Sequence, residues 1–304
     1  MASPDRLDAR ALACVGVALV TWSSAYASIA YALAAFTPGE VALARLSIAS
    51  LCFALLLAVK RVPLPARRDW PQLALLGVIG LTVYHLCLNY AETRIASGTA
   101  SILISLVPAA TAAWSAIWLR ERLSARTLMG LGVALLGVVL VVLASGKQVR
   151  FEPMAALVLI SVLASAIYFV GLKPLFARNS TLGVTAFGFF AGTLGSLPFG
   201  LHLPHAVAVA PWPAIAALLW LGIAPTFIGY IAWNVAIHRS SASQVSSFIY
   251  FSPPIAVLIG WVWLGERPGP LTLVGGVVTV AGVVLANTKR RARPTPPAAV
   301  PCES

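Results

Sequence analysis

Charge is what this sequence has least of. Asp, Glu, Lys and Arg make up 10% of its 304 residues, against about 25% in an ordinary soluble domain. Hydrophobic residues make up 60%, so there are too few charged side chains to cover a water-facing surface around so large an apolar fraction. The missing surface has to face lipid. Long polar stretches are also lacking, because the gaps between hydrophobic runs are mostly under a dozen residues, which leaves no room for a soluble catalytic or binding domain. No Gly-rich loop ending in Lys-Ser or Lys-Thr is present, which argues against ATP-driven work by this chain alone. The four cysteines, Cys14, Cys52, Cys87 and Cys302, have no paired spacing for a metal or a disulfide framework. Neither a metal nor another cofactor is expected.

What is present is a series of apolar stretches near twenty residues long, the length that crosses roughly 30 Å of hydrocarbon at about 1.5 Å per residue. Ten are expected, near 11–31, 39–59, 72–90, 96–119, 126–144, 153–173, 183–203, 213–236, 242–264 and 271–287. Arg6 and Arg10 precede the first, which runs beyond a typical signal h-region and is not followed by a small-residue cleavage site, so it reads as a span. The net charge of +12 points to the membrane and not to nucleic acid. With the N-terminus inside and the sides alternating, inner segments hold 16 Lys and Arg and outer segments 4. That bias places both termini in the cytoplasm. Residues 288–304, rich in Pro, Ala and Arg, read as a disordered basic cytoplasmic tail near anionic headgroups.

Sliding the sequence against itself by 145 residues brings two long segments into register. Asn89 meets Asn234, Arg94 meets Arg239, Pro108 meets Pro253 and Trp118-Leu119 meets Trp263-Leu264. Glu121-Arg122 meets Glu266-Arg267, and Gly137-Val138-Val139-Leu140 meets Gly282-Val283-Val284-Leu285. Polar, tryptophan and proline matches at one fixed offset mark a duplication. Each copy, 11–144 and 153–287, holds five spans, and an odd number makes the second copy enter the membrane from the other side. The expected fold is an all-α membrane protein of ten transmembrane helices arranged as two inverted five-helix repeats, an architecture that recurs in secondary transporters.

With these duplicated elements, above all the repeated ends Trp118-Leu119-Arg120-Glu121-Arg122 and Trp263-Leu264-Gly265-Glu266-Arg267, the sequence resembles the EamA-type permeases of the drug/metabolite transporter superfamily. The resemblance covers about residues 11–287. It implies a bacterial inner-membrane permease, often an exporter, with both termini cytoplasmic, and it leaves the substrate open. Read this way, the chain carries a small polar metabolite such as an amino acid across the membrane by alternating access, as monomer or homodimer, and is not an enzyme. Efflux of cationic drugs is the alternative, and a membrane-embedded enzyme a more distant one: His202 and His205 beside Pro204 are the nearest approach to a ligand pair.

Polar residues inside spans cost roughly 2.5–3.5 kcal/mol when charged at the bilayer centre, so each needs a reason. Arg45 either holds an anionic group of the solute or snorkels and pairs with Glu40. Tyr84, His85, Asn89, Tyr90 and Glu92 crowd the end of the third span, with His85 and Asn89 four apart on one face. They suit a polar solute, and His85 or Glu92 suits a coupled proton; an outer interfacial belt is the bland alternative for Tyr90 and Glu92. The second copy supplies Tyr230, Trp233, Asn234 and Tyr250, and Trp22 and Tyr168 complete the substrate-binding set. Pro108 and Pro253 are expected to kink the fourth and ninth spans as hinges or as a static kink inherited twice.

Overall fold

A computed structural model of the protein describes residues 8–94, 100, 103–120, 123–144, 154–252, 255 and 269–287, and among them there is no strand. The helices are α1 (Ala9–Ser23), α2 (Ala25–Leu33), α3 (Pro38–Lys60), α4 (Trp70–Gly77), α5 (Tyr84–Glu92), α6 (Val107–Trp118) and α7 (Ala125–Ala144). The second half contributes α8 (Ala155–Phe176), α9 (Thr181–Ser196), α10 (Leu203–Val209), α11 (Trp212–Leu221), α12 (Gly229–Arg239), α13 (Ala242–Ser247) and α14 (Pro270–Asn287). Local chemistry sets their starts. Asp8 accepts the Ala11 N–H at 2.7 Å, and Thr37 and Glu40 form a reciprocal capping box ahead of α3, with Pro38 at its first turn.

Among the described residues, six helical stretches are long and apolar enough to cross a membrane: Ala9–Leu33, Pro38–Lys60, Arg67–Glu92, Ala155–Phe176, Thr181–Phe199 and Trp212–Arg239. They coincide with the expected first, second, third, sixth, seventh and eighth spans. The fifth and tenth fall on α7 and α14, whose apolar stretches are shorter. Of the fourth and ninth, α6 and α13 are described in part, and Pro253, Glu121, Arg122, Glu266, Arg267 and residues 288–304 lie outside the described residues.

The 145-residue offset is visible in the backbone. A π-helical segment, Val78–Val83, joins α4 to α5, and a second, Gly222–Ile228, joins α11 to α12; the shift superposes 78–83 on 223–228. A π turn closes i→i+5 hydrogen bonds and so accommodates one extra residue. At its centre stand Gly80 in one copy and Pro225 in the other, the latter without an N–H to place. A tight turn at Leu103–Leu106, where the Leu106 N–H donates to Leu103 O at 3.0 Å, is matched by a 3₁₀ segment at Phe248–Phe251. Pro108 therefore lies in the first turn of α6, not in mid-helix. The chain breaks just before it, and in a first turn the missing proline N–H costs no helical bond.

Equivalent helices of the two copies meet across a local two-fold. A Cβ on Gly137 would fall 2.4 Å from Thr279 N, and one on Gly282 would fall 2.2 Å from Ala134 N. Under the 145-residue shift, 137 becomes 282 and 134 becomes 279, so the two contacts are the same contact seen from either copy. Gly130 approaches Ala286 N in the same way, at 2.3 Å. As residue number rises along α7 it falls along α14, so the pair is antiparallel and its two-fold axis runs across the helices. The start of α7 and the start of α14 thus lie at opposite ends of the bundle.

One end is tied by charge. Arg178 donates to both Asp69 oxygens, at 2.6 and 3.1 Å, Asn179 donates to Asp69 at 2.7 Å, and Lys173 donates to the carbonyls of Ile237 and Ser240. Asp8 pairs with Arg239 at the same end, where Lys60, Arg61, Arg67 and Arg68 also lie. At the opposite end, beside Pro38 and Phe199, the described residues carry Arg94 alone among lysines and arginines.

Candidate functional site

Between the copies lies a cavity of roughly 60 Å³ whose lining includes Trp22, Arg45, Tyr84, His85, Phe169 and Tyr230, room for several waters. Each copy contributes to the wall. The cavity runs past Ala25, Ile29 and Leu88, away from the end tied by charge.

Arg45 projects from α3 and is 3% exposed. Its Nε donates to the Thr226 hydroxyl at 3.0 Å, a contact made across 181 residues of sequence. Thr226 belongs to the π segment of the second copy. Among the described residues no carboxylate lies within ion-pair distance of the guanidinium. Glu40, the partner considered from sequence, spends its carboxylate on the Thr37 N–H at 2.8 Å, holding the start of α3. The Glu92 carboxylate acts on this charge only from beyond contact distance, and a buried, desolvated cation without a contact ion pair attracts an anion strongly.

His85, on α5, is 1% exposed, and neither ring nitrogen has a partner among the described residues. Its ring stands edge-on to Tyr84 and Tyr230, with centroids 4.8 and 6.2 Å away. Buried polar atoms are nearly always paired; here the cavity is where a partner for them can enter. The indole of Trp22 donates to Pro225 O at 2.9 Å, the carbonyl next to Thr226. One π segment thereby holds both Trp22 and Arg45 in position. Toward the charged end, Trp22, Phe169 and Trp233 pack with ring centroids 4.8 to 6.4 Å apart and close the floor.

Five residues expected from sequence therefore stand together in the lining: Trp22, Arg45, Tyr84, His85 and Tyr230. Trp233 and Tyr168 lie one layer behind, Trp233 under Trp22 and Tyr168 against Gly80 and Tyr230. Asn89 and Asn234 lie behind the walls as well and do equivalent things: Asn89 donates to Pro38 O at 3.1 Å and Asn234 to the Thr185 hydroxyl at 3.1 Å. The Asn89 carboxamide oxygen is buried without a partner among the described residues, and Asn234 lies against Tyr168. Tyr250 is elsewhere, beside α6 and α7; its neighbours Ile249 and Ser252 reach the cavity in its place. His202 and His205 are exposed, and among the described residues no cluster of His, Cys, Asp or Glu could hold a metal. Sequence reasoning missed Phe169, Ser165 and Thr226. The pair Pro225-Thr226 inside an apolar span was the signal for the last.

The ion pairs Asp69–Arg178 and Asp8–Arg239 each join one copy to the other beneath the aromatic floor. The Arg239 guanidinium, with the Ala11 N–H, holds the Asp8 carboxyl below the usual carboxylate range, so this tie is intact at neutral pH and is lost as pH falls through that lowered value. Replacing Asp8 and Asp69 together by Ala is expected to raise maleimide labelling of Cys14, with the other cysteines changed to Ser, by about tenfold, a shift of about 1.4 kcal/mol in the closing equilibrium. An unchanged labelling rate would show that these pairs do not close this end.

The model of the EamA-like transporter family matches residues 10–143 and 153–288, once per copy. A probable terminal-alkyne amino-acid exporter of Streptantibioticus cattleyicolor is 35% identical over 90% of this chain and 92% of its own. The uncharacterized transporter YdfC of Bacillus subtilis is 31% identical over 88% of each chain. The pseudopaline exporter CntI of Pseudomonas aeruginosa is 29% identical over 90% of this chain and 95% of its own. A solved crystal structure shares the fold, with a TM-score of 0.73 at 21% identity, over 91% of this chain and 96% of that one. Two family-matched copies, apolar membrane-length helices and a cavity walled by both leave one conclusion: the chain is a multi-pass membrane protein that belongs to the EamA-like transporter family.

Proposed function

We propose that this chain is a secondary exporter of a small, carboxylate-bearing metabolite of the amino-acid class. It works by alternating access through ten spans arranged as two inverted five-helix repeats, with both termini cytoplasmic. The observation that carries the substrate class is Arg45, a buried cation in the cavity wall with no carboxylate in contact with it among the described residues. A solute carboxylate completes it with charge-assisted hydrogen bonds. His85 supplies polar atoms for the rest of the solute, and the rings of Trp22, Tyr84, Phe169 and Tyr230 supply apolar faces.

The antiparallel pairing of α7 with α14 and the repeated π segments support the inverted arrangement. The basic bias of the charged end supports its placement in the cytoplasm. Relatives named as exporters support the direction of net flux.

The four aromatic rings also favour a second reading, efflux of cationic aromatic compounds through cation–π contacts; the like charge of Arg45 opposes it. Proteoliposomes loaded with labelled amino acids separate the two. The expected result is saturable, protein-dependent flux that free amino acids inhibit and their methyl esters do not. Flux of cationic dyes with no flux of any carboxylate would overturn the proposal.

A further inference from the structure

A second opening lies away from the central cavity, in the outer wall between α6 and α7. It is a groove of about 240 Å³ lined by small and apolar side chains, among them Ala109, Ala113, Leu128 and Gly132. Ala113, Leu128 and Gly132 are exposed, so the groove opens outward, where a membrane protein meets hydrocarbon. A side chain added at Gly132 would meet nothing within 4 Å. Tyr250 also lines the groove. It is 0% exposed, and its hydroxyl has no hydrogen-bond partner among the described residues.

The groove has a chemically distinct end. Leu123 lines it there, flanked by the exposed Arg120 and Arg126. Trp118 is 60% exposed beside them and stacks on Trp114 at 6.2 Å, the usual position of a ring at the headgroup level. From this rim inward the order is two cations, then an apolar slot, with Tyr250 packed in the same buried cluster as Leu131 and Ala134 behind the slot. Gly132 is six residues further along the helix than Arg126, about 9 Å deeper.

We propose that this groove binds one anionic phospholipid, with its phosphate at Arg120 and Arg126 and one acyl chain in the slot. An apolar groove left empty forfeits dispersion contacts on one side, and acyl chains are what surround it. The two arginines favour the anionic members of the leaflet. The site also leans on both chain breaks, since α6 restarts at Val107 within the same wall and Tyr250 is part of the 3₁₀ segment. A bound lipid therefore holds the two breaks against each other.

The test is lipid retention by the full chain. Protein reconstituted in vesicles of phosphatidylethanolamine with phosphatidylglycerol as the minority component is extracted in mild detergent, and the lipid left on it is counted by native mass spectrometry. The expected result is one phosphatidylglycerol per chain. Gly132→Leu, which fills the slot without a clash, abolishes retention. Gly276→Leu, made where added atoms also meet open space, keeps it and controls for folding. Arg120→Gln with Arg126→Gln lowers retention about thirtyfold, the effect of two cations at a leaflet surface. Equal retention of both lipids, retention unchanged in Gly132→Leu, or none in the unaltered chain would overturn the proposal. So would retention that rises on removal of residues 288–304, because the basic tail would then be the occupant.

Discussion

Arg45→Gln is expected to abolish saturable amino-acid flux, with transport efficiency falling about 100-fold or more while the protein remains folded. The side chain is buried in the cavity wall, its Nε is occupied by Thr226, and no carboxylate contacts it among the described residues. A solute carboxylate bound there forms the missing half of a desolvated pair, and truncating one member of such a pair costs about 2–5 kcal/mol. Glutamine keeps the volume and a hydrogen-bond donor but loses the charge, so the loss isolates electrostatics. Arg45→Lys should recover part of the flux, because the charge remains and the forked donor geometry does not. The check is initial rate against substrate concentration in proteoliposomes, with thermal unfolding of each variant alongside. Normal flux in Arg45→Gln would remove the carboxylate from the proposed binding mode.

Gly282→Leu is expected to prevent stable assembly. A first side-chain carbon there would sit 2.2 Å from Ala134 N and 2.6 Å from its Cα, and those atoms are backbone that no rotamer change can move. Overpacking ordinarily costs about 1–3 kcal/mol; here α7 and α14 must separate along their seam, so the loss lies at or beyond the top of that range. Gly137→Leu, meeting Thr279 N at 2.4 Å, should behave alike because it is the symmetry mate. Gly276→Leu, on the same helix but with nothing within 4 Å, should be silent. Yield of monodisperse protein and its melting temperature measure all three, and a well-folded Gly282→Leu would contradict the close seam.

Much of this was readable before any coordinates. Composition and run length place the chain in a membrane, and the fixed offset that pairs Asn89 with Asn234 reveals the duplication. Five of the ten proposed binding residues share the cavity because a polar or aromatic group within an apolar span needs a reason, and facing a cavity is one. Tyr250 stands away from the cavity, beside α6 and α7, while its neighbours Ile249 and Ser252 line it; residue type alone singles out Tyr250 and does not say which way a 3₁₀ turn such as Phe248–Phe251 aims its side chains. Thr226 is marked in the sequence only by the pair Pro225-Thr226 inside an apolar span, and its contact with Arg45 spans 181 residues, which no local pattern reveals. Tyr168, Trp233, Asn89 and Asn234 show a further limit: a buried polar side chain can serve the wall behind a cavity as readily as the cavity itself.

The two π segments carry a consequence for chain length. Each holds one residue more than a continuous α-helix would need, and that residue sets the azimuth of all that follows it. Rewinding Val78–Val83 as an α-helix with all its residues kept would turn the Tyr84–Glu92 half-span about 100° around its own axis. His85 and Tyr84 would then face a neighbouring helix or lipid, although no binding residue had been touched. The winding in these two places is thus as much a part of the binding site as the side chains are: a one-residue gap inside the π segment is absorbed there, whereas the same gap in the α-helix that follows would turn the binding residues away.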